Sequence, residues 1–340
     1  MSAVGTAATD TAATEPPRDP LPQAGWRVVA AKELGDHLLS IRFLVLLIVL
    51  GLAASIPVYF AADRIRSLAP QASGAAAVFL ALFTFTVDQL QGQSVFTFIG
   101  VVAPLLGLAF AFDAVNGERS EGTLPRLLAQ PIHRDDVING KFAAGLAVIG
   151  LVLTSVIAFI AGFGMIRLGI VPHGSEVVRL VAWVLVTFLY VALWLAFGLL
   201  LSVLIRRAAT AALIGFGVWL LVTIFGGLIT NFLGTLVAPA ANATPEEILG
   251  SLQLQEFISR LLPTTLYNDV STALLSPSTA LVGLPGTIGQ VQQAQQQIPS
   301  LLTVDQSILL VWPQTVVIIT LAVVCFAAAY VAFMRQEVRA

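Results

Sequence analysis

Long apolar stretches separated by short polar connections make up most of this chain. Six uncharged intervals, dominated by Leu, Val, Ile, Phe and Ala, each contain at least 20 residues. At a rise of about 1.5 Å per residue, about 20 helical residues cross the roughly 30 Å hydrocarbon core of a bilayer. The pattern therefore predicts six transmembrane helices, at about 43–62, 93–115, 138–166, 179–205, 209–237 and 307–334.

Two further apolar stretches do not meet the requirements of a span. Residues 75–87 number only 13, which favours a re-entrant or an interfacial helix. Residues 270–304 lack charge but contain three prolines and a Gln-rich run, whose backbone could not satisfy its own hydrogen bonds in lipid. They belong to a predicted extracytoplasmic insertion at 239–305. Because it exceeds sixty residues, this insertion is expected to carry structure of its own, including a helix at about 246–262.

The start of the chain contains two different segments. Residues 1–25 are rich in Ala, Thr and Pro and lack the pattern of a signal peptide, which predicts a disordered cytoplasmic tail. Residues 26–41 predict an amphipathic helix along the inner membrane interface, serving either as an anchor or as a contact for a partner. Its expected apolar face is Trp26, Ala30, Leu34, Leu38 and Ile41, with Lys32, Glu33 and Asp36 off that face.

Helix-breaking residues occur inside three predicted spans. Pro57 and Pro104 interrupt the first and second, and the pair Gly226-Gly227 interrupts the fifth. Membrane helices tolerate such residues because neighbouring groups satisfy the freed backbone, so kinks are the expected result.

Composition supports a membrane protein and excludes an ordinary soluble enzyme. Hydrophobic residues make up 57% of the chain and charged residues 11%, and the mean hydropathy is +0.91. Soluble proteins carry about a quarter of their residues as charges. The net charge of −2 gives no electrostatic basis for nucleic-acid binding, and the single cysteine, Cys325, can form no intramolecular disulfide.

The basic residues predict the orientation. With six spans and both termini in the cytoplasm, twelve of the 17 Lys and Arg residues lie inside, close to helix ends, as the positive-inside rule requires. A seventh span at 75–87 would place the N-terminal basic residues outside. We therefore expect a multi-pass protein of the plasma or inner membrane with cytoplasmic termini, contacting membrane lipid. Its inner-face anchors include Arg206 and Arg207, between the fourth and fifth spans.

The loop between the second and third spans, 116–136, has an unusual pattern. Charges gather where the second span ends, Gly122 can stop a helix, and Thr123 can cap a new one. Leu124, Leu127 and Leu128 then form an apolar ridge that Pro131 terminates. A short helix of this kind fits a groove on another protein.

The same loop carries a family resemblance. Its sequence E-R-S-E-G-T-L at 118–124, followed by Leu127-Leu128, Pro131, Arg134 and Gly140-Lys141, resembles the E-R-x-x-G-T-L … L-L-x-x-P-x-x-R … G-K pattern of ABC-2 type ABC transporter permeases. The segments 262–267 (LPTTLY) and 275–277 (LSP) look most like the NosY-like branch, associated with multicopper-enzyme maturation.

The resemblance implies a fold and a set of functional residues. The fold would be all-α, a type V exporter-like ABC-2 permease with six transmembrane helices and an N-terminal interfacial helix. The loop, at about 117–134, would be a coupling helix seated in a cytoplasmic ATPase, and two permease copies would pair about a twofold axis. The implied ATPase-coupling residues are Glu118, Arg119, Glu121, Gly122, Thr123, Leu124, Leu127, Leu128, Pro131 and Arg134.

The chain has no phosphate-binding loop of its own. Its Gly140-Lys141 pair is followed by Phe142 and lacks the upstream glycine of a G-x-x-x-x-G-K-[ST] motif. The ATPase, with its ATP and Mg²⁺, would be a separate polypeptide, and the chain is expected to bind no cofactor and to catalyse no reaction. His37, His133 and His173 lack partners at ligand spacing, so no metal site is predicted.

The leading hypothesis is therefore the permease subunit of an ATP-driven exporter, acting as a homodimer. One alternative is an ion-driven secondary carrier or channel, which would need charges in mid-span. Another is a subunit that transmits a mechanical signal without transporting. The transported substrate cannot be deduced from these residues.

Overall fold

The computed structural model describes residues 25–68, 78–84, 94–123, 132–238, 244–276 and 303–336. All regular elements in these ranges are helices. In chain order they are α1 (Gly25–Leu38), α2 (Ile41–Leu68), α3 (Val78–Thr84), α4 (Val95–Ala111), α5 (Asn116–Ser120), α6 (Arg134–Leu168), α7 (Gly174–Leu204), α8 (Ala208–Thr223), α9 (Gly226–Leu236), α10 (Pro245–Ser259), α11 (Pro263–Leu275) and α12 (Val304–Arg335).

Five helices in the described ranges are long and apolar enough to cross a membrane. They begin at Ile41, Val95, Arg134, Gly174 and Val304. A sixth span is formed if α8 and α9, which meet at an angle of 49°, are counted together. The break lies where the sequence predicts it, because α9 begins at Gly226. By contrast, α2, α4 and α12 continue through Pro57, Pro104 and Pro313.

Helix α7 lies at the centre of the bundle and packs against α4, α6, α8, α11 and α12. In its most apolar 18-residue stretch 67% of the residues are buried, against 17% in α12. The contact with α4 is very close, because a Cβ atom at Gly107 would lie 2.6 Å from both the Leu195 amide nitrogen and the Val191 carbonyl oxygen. Helices approach this closely only where a small residue replaces a side chain.

The two ends of the bundle differ in construction. The elbow end carries residues 112–123, which we call the elbow, and the insertion end carries α3, α10 and α11. Helix α11 is packed among the spans, with Leu266, Tyr267 and Val270 buried. Helix α3, the described part of the predicted segment 75–87, is also packed inside, with Phe79, Leu80, Leu82 and Phe83 buried.

The N-terminal helix α1 packs against α6 through Val29 and Glu33, its buried residues. Glu33 lies off the apolar face that the sequence predicts, and it is buried because α6 presents a cation to it. Trp26, on the predicted apolar face, is exposed. The placement of that face along the inner membrane interface stays a prediction.

We predict that Gly107→Ala destabilises the protein by about 1–3 kcal/mol, the usual cost of overpacking a core. The added methyl group meets main-chain atoms of α7, so rotation of a side chain cannot relieve the clash. The measurement is the midpoint of thermal unfolding in detergent. The matched control is Gly217→Ala in α8, where an added Cβ meets no atom within 4 Å. An equal decrease in both variants would contradict the prediction.

Candidate functional site

The elbow is fastened to the C-terminal end of α7. The Ser202 hydroxyl oxygen accepts hydrogen bonds from the amides of Val115 (2.9 Å) and Asn116 (3.3 Å). The Asn116 side chain donates to the Ile205 carbonyl at 3.2 Å. All the side chains involved are buried. The amides of Val115 and Asn116 follow the end of α4, and Ser202 supplies the acceptor that they need.

Gly122 ends α5 in the way the sequence predicts. Its φ of +69° lies in the left-handed region that glycine adopts without steric cost. The Thr123 amide donates to the Glu118 carbonyl (2.9 Å), and the Gly122 amide donates to the Arg119 carbonyl (3.3 Å). This pair of bonds is the Schellman motif, which reverses the direction of the chain after a helix.

The apolar ridge follows directly after this motif. Leu124, Leu127, Leu128 and Pro131 lie outside the described residues, and so does any helix that Thr123 would cap. Within the described part, the Thr123 hydroxyl instead donates to the Glu118 carbonyl at 3.2 Å. Residues 120–123 are exposed.

A buried ion-pair cluster lies beside the elbow. The Lys141 ammonium nitrogen is 2.8 Å from a carboxylate oxygen of Glu33 and 2.8 Å from one of Glu118. The exposed fractions of these side chains are 3% for Lys141, 12% for Glu33 and 18% for Glu118. The cluster joins α1, α5 and α6. Removing one member of such a cluster leaves an uncompensated buried charge, which costs about 3–5 kcal/mol.

A second polar junction forms at the end of α12. The Arg119 side chain donates to the Gln336 side-chain oxygen, and Arg134 donates to the Gln336 carbonyl at 3.1 Å. The Gln336 amide group in turn donates to the Val203 carbonyl at 2.7 Å. Two of the predicted coupling residues, Arg119 and Arg134, are thus brought together by a residue that lies over two hundred positions later in the chain.

The other predicted residues lie outside these junctions. Glu121 is exposed on the elbow, and Arg206 and Arg207 are exposed between α7 and α8. They are therefore available to solvent or to a partner. Asp113, at the start of the elbow, is paired with Arg42 of α2, which links the elbow to another span.

Several residues of the site have no clear signal in the sequence. Glu33 falls off the apolar face of its helix, Ser202 lies inside an apolar run, and Gln336 follows the last span. A polar residue within an apolar helix is the weak signal that could have identified Ser202. Lys141 belongs to the G-K pair of the family pattern, but nothing in the sequence indicates its two carboxylate partners.

The arrangement is built for holding helices together. In the ranges the structure describes, no group of three or more His, Cys, Asp or Glu residues could hold a metal ion. The acidic and basic side chains of the elbow end contact each other across helices. Their chemistry is electrostatic attachment between helices.

Residues 27–338 match the family model described as "ABC-2 family transporter protein". The chain belongs to the ABC-2 family. It is accordingly a multi-pass membrane protein, and the family covers α1, the spans and the insertion alike.

Two curated ABC-2 relatives carry the name "Probable ABC transporter permease protein NosY". The protein of Stutzerimonas stutzeri is 29% identical over 188 residues, which cover 53% of this chain and 62% of the relative. The protein of Pseudomonas aeruginosa is 39% identical over 74 residues, covering 22% of this chain and 25% of the relative. Each match covers less than two thirds of the relative's length. The chain is therefore similar to permeases with the NosY name, in agreement with the NosY-like resemblance of its motifs.

We predict that Ser202→Ala detaches the elbow and costs about 1–3 kcal/mol of stability, because the amides of Val115 and Asn116 lose their buried acceptor. Protection of these amides from hydrogen exchange should decrease. Ser251→Ala in α10 is the control, since that hydroxyl donates to the Ile248 carbonyl of its own helix. Unchanged exchange at the elbow in Ser202→Ala would show that another group holds it.

We predict that His37 makes the protein less stable in mild acid. Burial lowers the pKa of its imidazole below the ordinary value of 6.5. The unfolded chain therefore binds the proton more readily, and stability falls as the pH decreases through 6.5. The charged groups that face His37 are Glu33, Lys141, Asp113 and Asp36.

The measurement is the midpoint of thermal unfolding from about pH 7.5 to about pH 5.5. His37→Gln should flatten the decrease. An identical decrease in the unmodified protein and in His37→Gln would contradict the prediction.

Proposed function

We propose that this protein is the membrane-spanning permease subunit of an ATP-binding-cassette exporter, driven by a separate cytoplasmic ATPase. Family membership supports the permease assignment. The single observation that carries the coupling role is the elbow, where a Schellman motif ends in exposed residues 120–123 immediately before the Leu ridge of the sequence at 124–128. The ATPase would use ATP and Mg²⁺, and this subunit would catalyse no reaction.

The contacts of the elbow suit a part that receives force. It is attached to α7 through Ser202, to α6 through Lys141 and to the end of α12 through Gln336. A displacement applied to residues 124–131 would therefore act on three long helices at once. ATP binding can shift a permease between conformations only by contacting one of them better, and such an attachment would transmit that difference.

The proposed assembly contains two copies of the permease about a twofold axis and two ATPase subunits. Both termini and the elbow face the cytoplasm in this arrangement, because twelve of the 17 basic residues then lie inside. Exposed apolar side chains cover α2 and α8, including Leu52, Leu213 and Phe216. These faces would contact lipid or the second copy.

An ion-driven carrier is the less favoured alternative. Among the described spans, the buried charged residues are Lys141, near the start of α6, and Glu176 and Arg179, near the start of α7. Ion and proton pathways use ionisable groups at the depth of the membrane centre. Transport by the purified chain without ATPase would favour this alternative. A mechanical-signalling subunit would bind the ATPase and couple to it without moving any solute.

We predict that Leu124→Asp with Leu127→Asp abolishes co-purification with the partner ATPase. Permease-stimulated ATP hydrolysis should fall about 30-fold or more, the scale of an interface hot spot. The control is Leu252→Asp with Leu254→Asp, which places the same substitutions on exposed positions of α10 at the opposite end. Unchanged assembly and hydrolysis in the first variant would overturn the proposed function.

A further inference from the structure

Lys141 is the most buried of the basic side chains at the elbow end. It meets two carboxylates that come from distant parts of the chain, since Glu33 lies 108 positions before it and Glu118 lies 23 positions before it. Neither acidic residue is contributed by α6 itself. A single ammonium group therefore connects the N-terminal helix to the elbow.

The side of the cluster that contains Glu33 is firmly built. The Trp26 amide, at the start of α1, donates to an Asp136 carboxylate oxygen in the first turn of α6 at 2.9 Å. Val29, one turn further along α1, is buried. Helix α1 thus lies against α6 from its first residue to Glu33, and these two helices form one unit.

The side that contains Glu118 governs the direction of the chain. The Glu118 side chain holds Lys141, while its carbonyl oxygen accepts the bonds from the Thr123 amide and the Thr123 hydroxyl. The same residue therefore carries both the ion pair and the motif that turns the chain into residues 124–131. Rotating Glu118 away from Lys141 would re-aim that segment.

We infer that Lys141 is a positioning residue for ATPase coupling, and that it makes α1 part of the coupling device through Glu33. The inference rests on the proposed function. Lys141 does not contact the ATPase in this scheme. It holds the elbow at a set angle to the unit formed by α1 and α6, so that movement of the coupling segment moves that unit.

The discriminating variant is Glu33→Gln, because Glu33 lies on α1 and belongs to no part of the elbow. We expect Glu33→Gln and Glu118→Gln to reduce permease-stimulated ATP hydrolysis by about tenfold each, with the ATPase still co-purifying. Lys141→Met should reduce it further, and Lys141→Arg should restore much of it, because a guanidinium group can hold both carboxylates. The matched control is Asp36→Asn, an exposed carboxylate on the same helix.

Loss of folding is separated from loss of coupling by a neutral triple variant, Glu33→Gln with Glu118→Gln and Lys141→Met. It leaves no unpaired buried charge, so it should unfold at a temperature close to that of the unmodified protein. Its stimulated hydrolysis should nevertheless be as low as that of Lys141→Met. Full stimulation in the triple variant, or in Glu33→Gln, would overturn the inference while the proposed function stands.

A second measurement needs no ATPase. Cys325 is first replaced by Ala, and cysteines are then introduced at the exposed positions Val28 and Ser120. Spin labels on these two cysteines report the distance between α1 and the elbow. The distance distribution should be narrow in the unmodified background, broad in Lys141→Met and narrow in Lys141→Arg. Unchanged distributions in Lys141→Met would refute the link. If the distribution broadens in Lys141→Met but the unmodified protein binds no ATPase, only the proposed function is refuted.

Discussion

The close contact between α4 and α7 determines the position of everything at the elbow end. It depends on Gly107, where the two helices come so near that any side chain would meet the main chain of α7. With the two helices held together there, the Ser202 side chain of α7 lies beside the residues that follow the end of α4. The elbow can therefore leave the helix without leaving its amides unpaired in an apolar region. A turn in that region would otherwise cost too much free energy to persist.

Satisfying these amides has a mechanical consequence. The elbow is attached through a few directional bonds to side chains on α7, α6 and the end of α12, whereas the spans themselves are held by diffuse apolar packing. A hydrogen bond weakens steeply when its angle is distorted, so it fixes an orientation, whereas dispersion attraction between apolar side chains is spread over many weak contacts. A short charged turn can then act on a large apolar bundle, since its contacts are few and each fixes an orientation.

The sequence predicts the parts of this structure that depend on local or averaged properties. The scarcity of charge locates the spans, the left-handed position at Gly122 ends α5, and the pair Gly226-Gly227 coincides with the bend between α8 and α9. It does not predict contacts between distant segments. The helical periodicity of α1 does not indicate that Glu33 is buried, because the cation that it contacts is 108 positions away. Gln336 joins Arg119 to Arg134 only because α12 ends beside α7.

The insertion end uses a different chemistry from the elbow end, and α7 connects the two. In the first half of α7 the Trp183 indole donates to the Ser271 hydroxyl at 3.0 Å, and near the middle Tyr190 stacks on Tyr267 with ring centroids 4.6 Å apart. Near its end, Ser202 holds the elbow. A helix of 31 residues extends about 46 Å, so α7 alone reaches from one junction to the other. Any displacement of the elbow must therefore break its bonds to Ser202 or move α7, and moving α7 shifts the ring stack and hydroxyl contacts that hold α11 in the bundle.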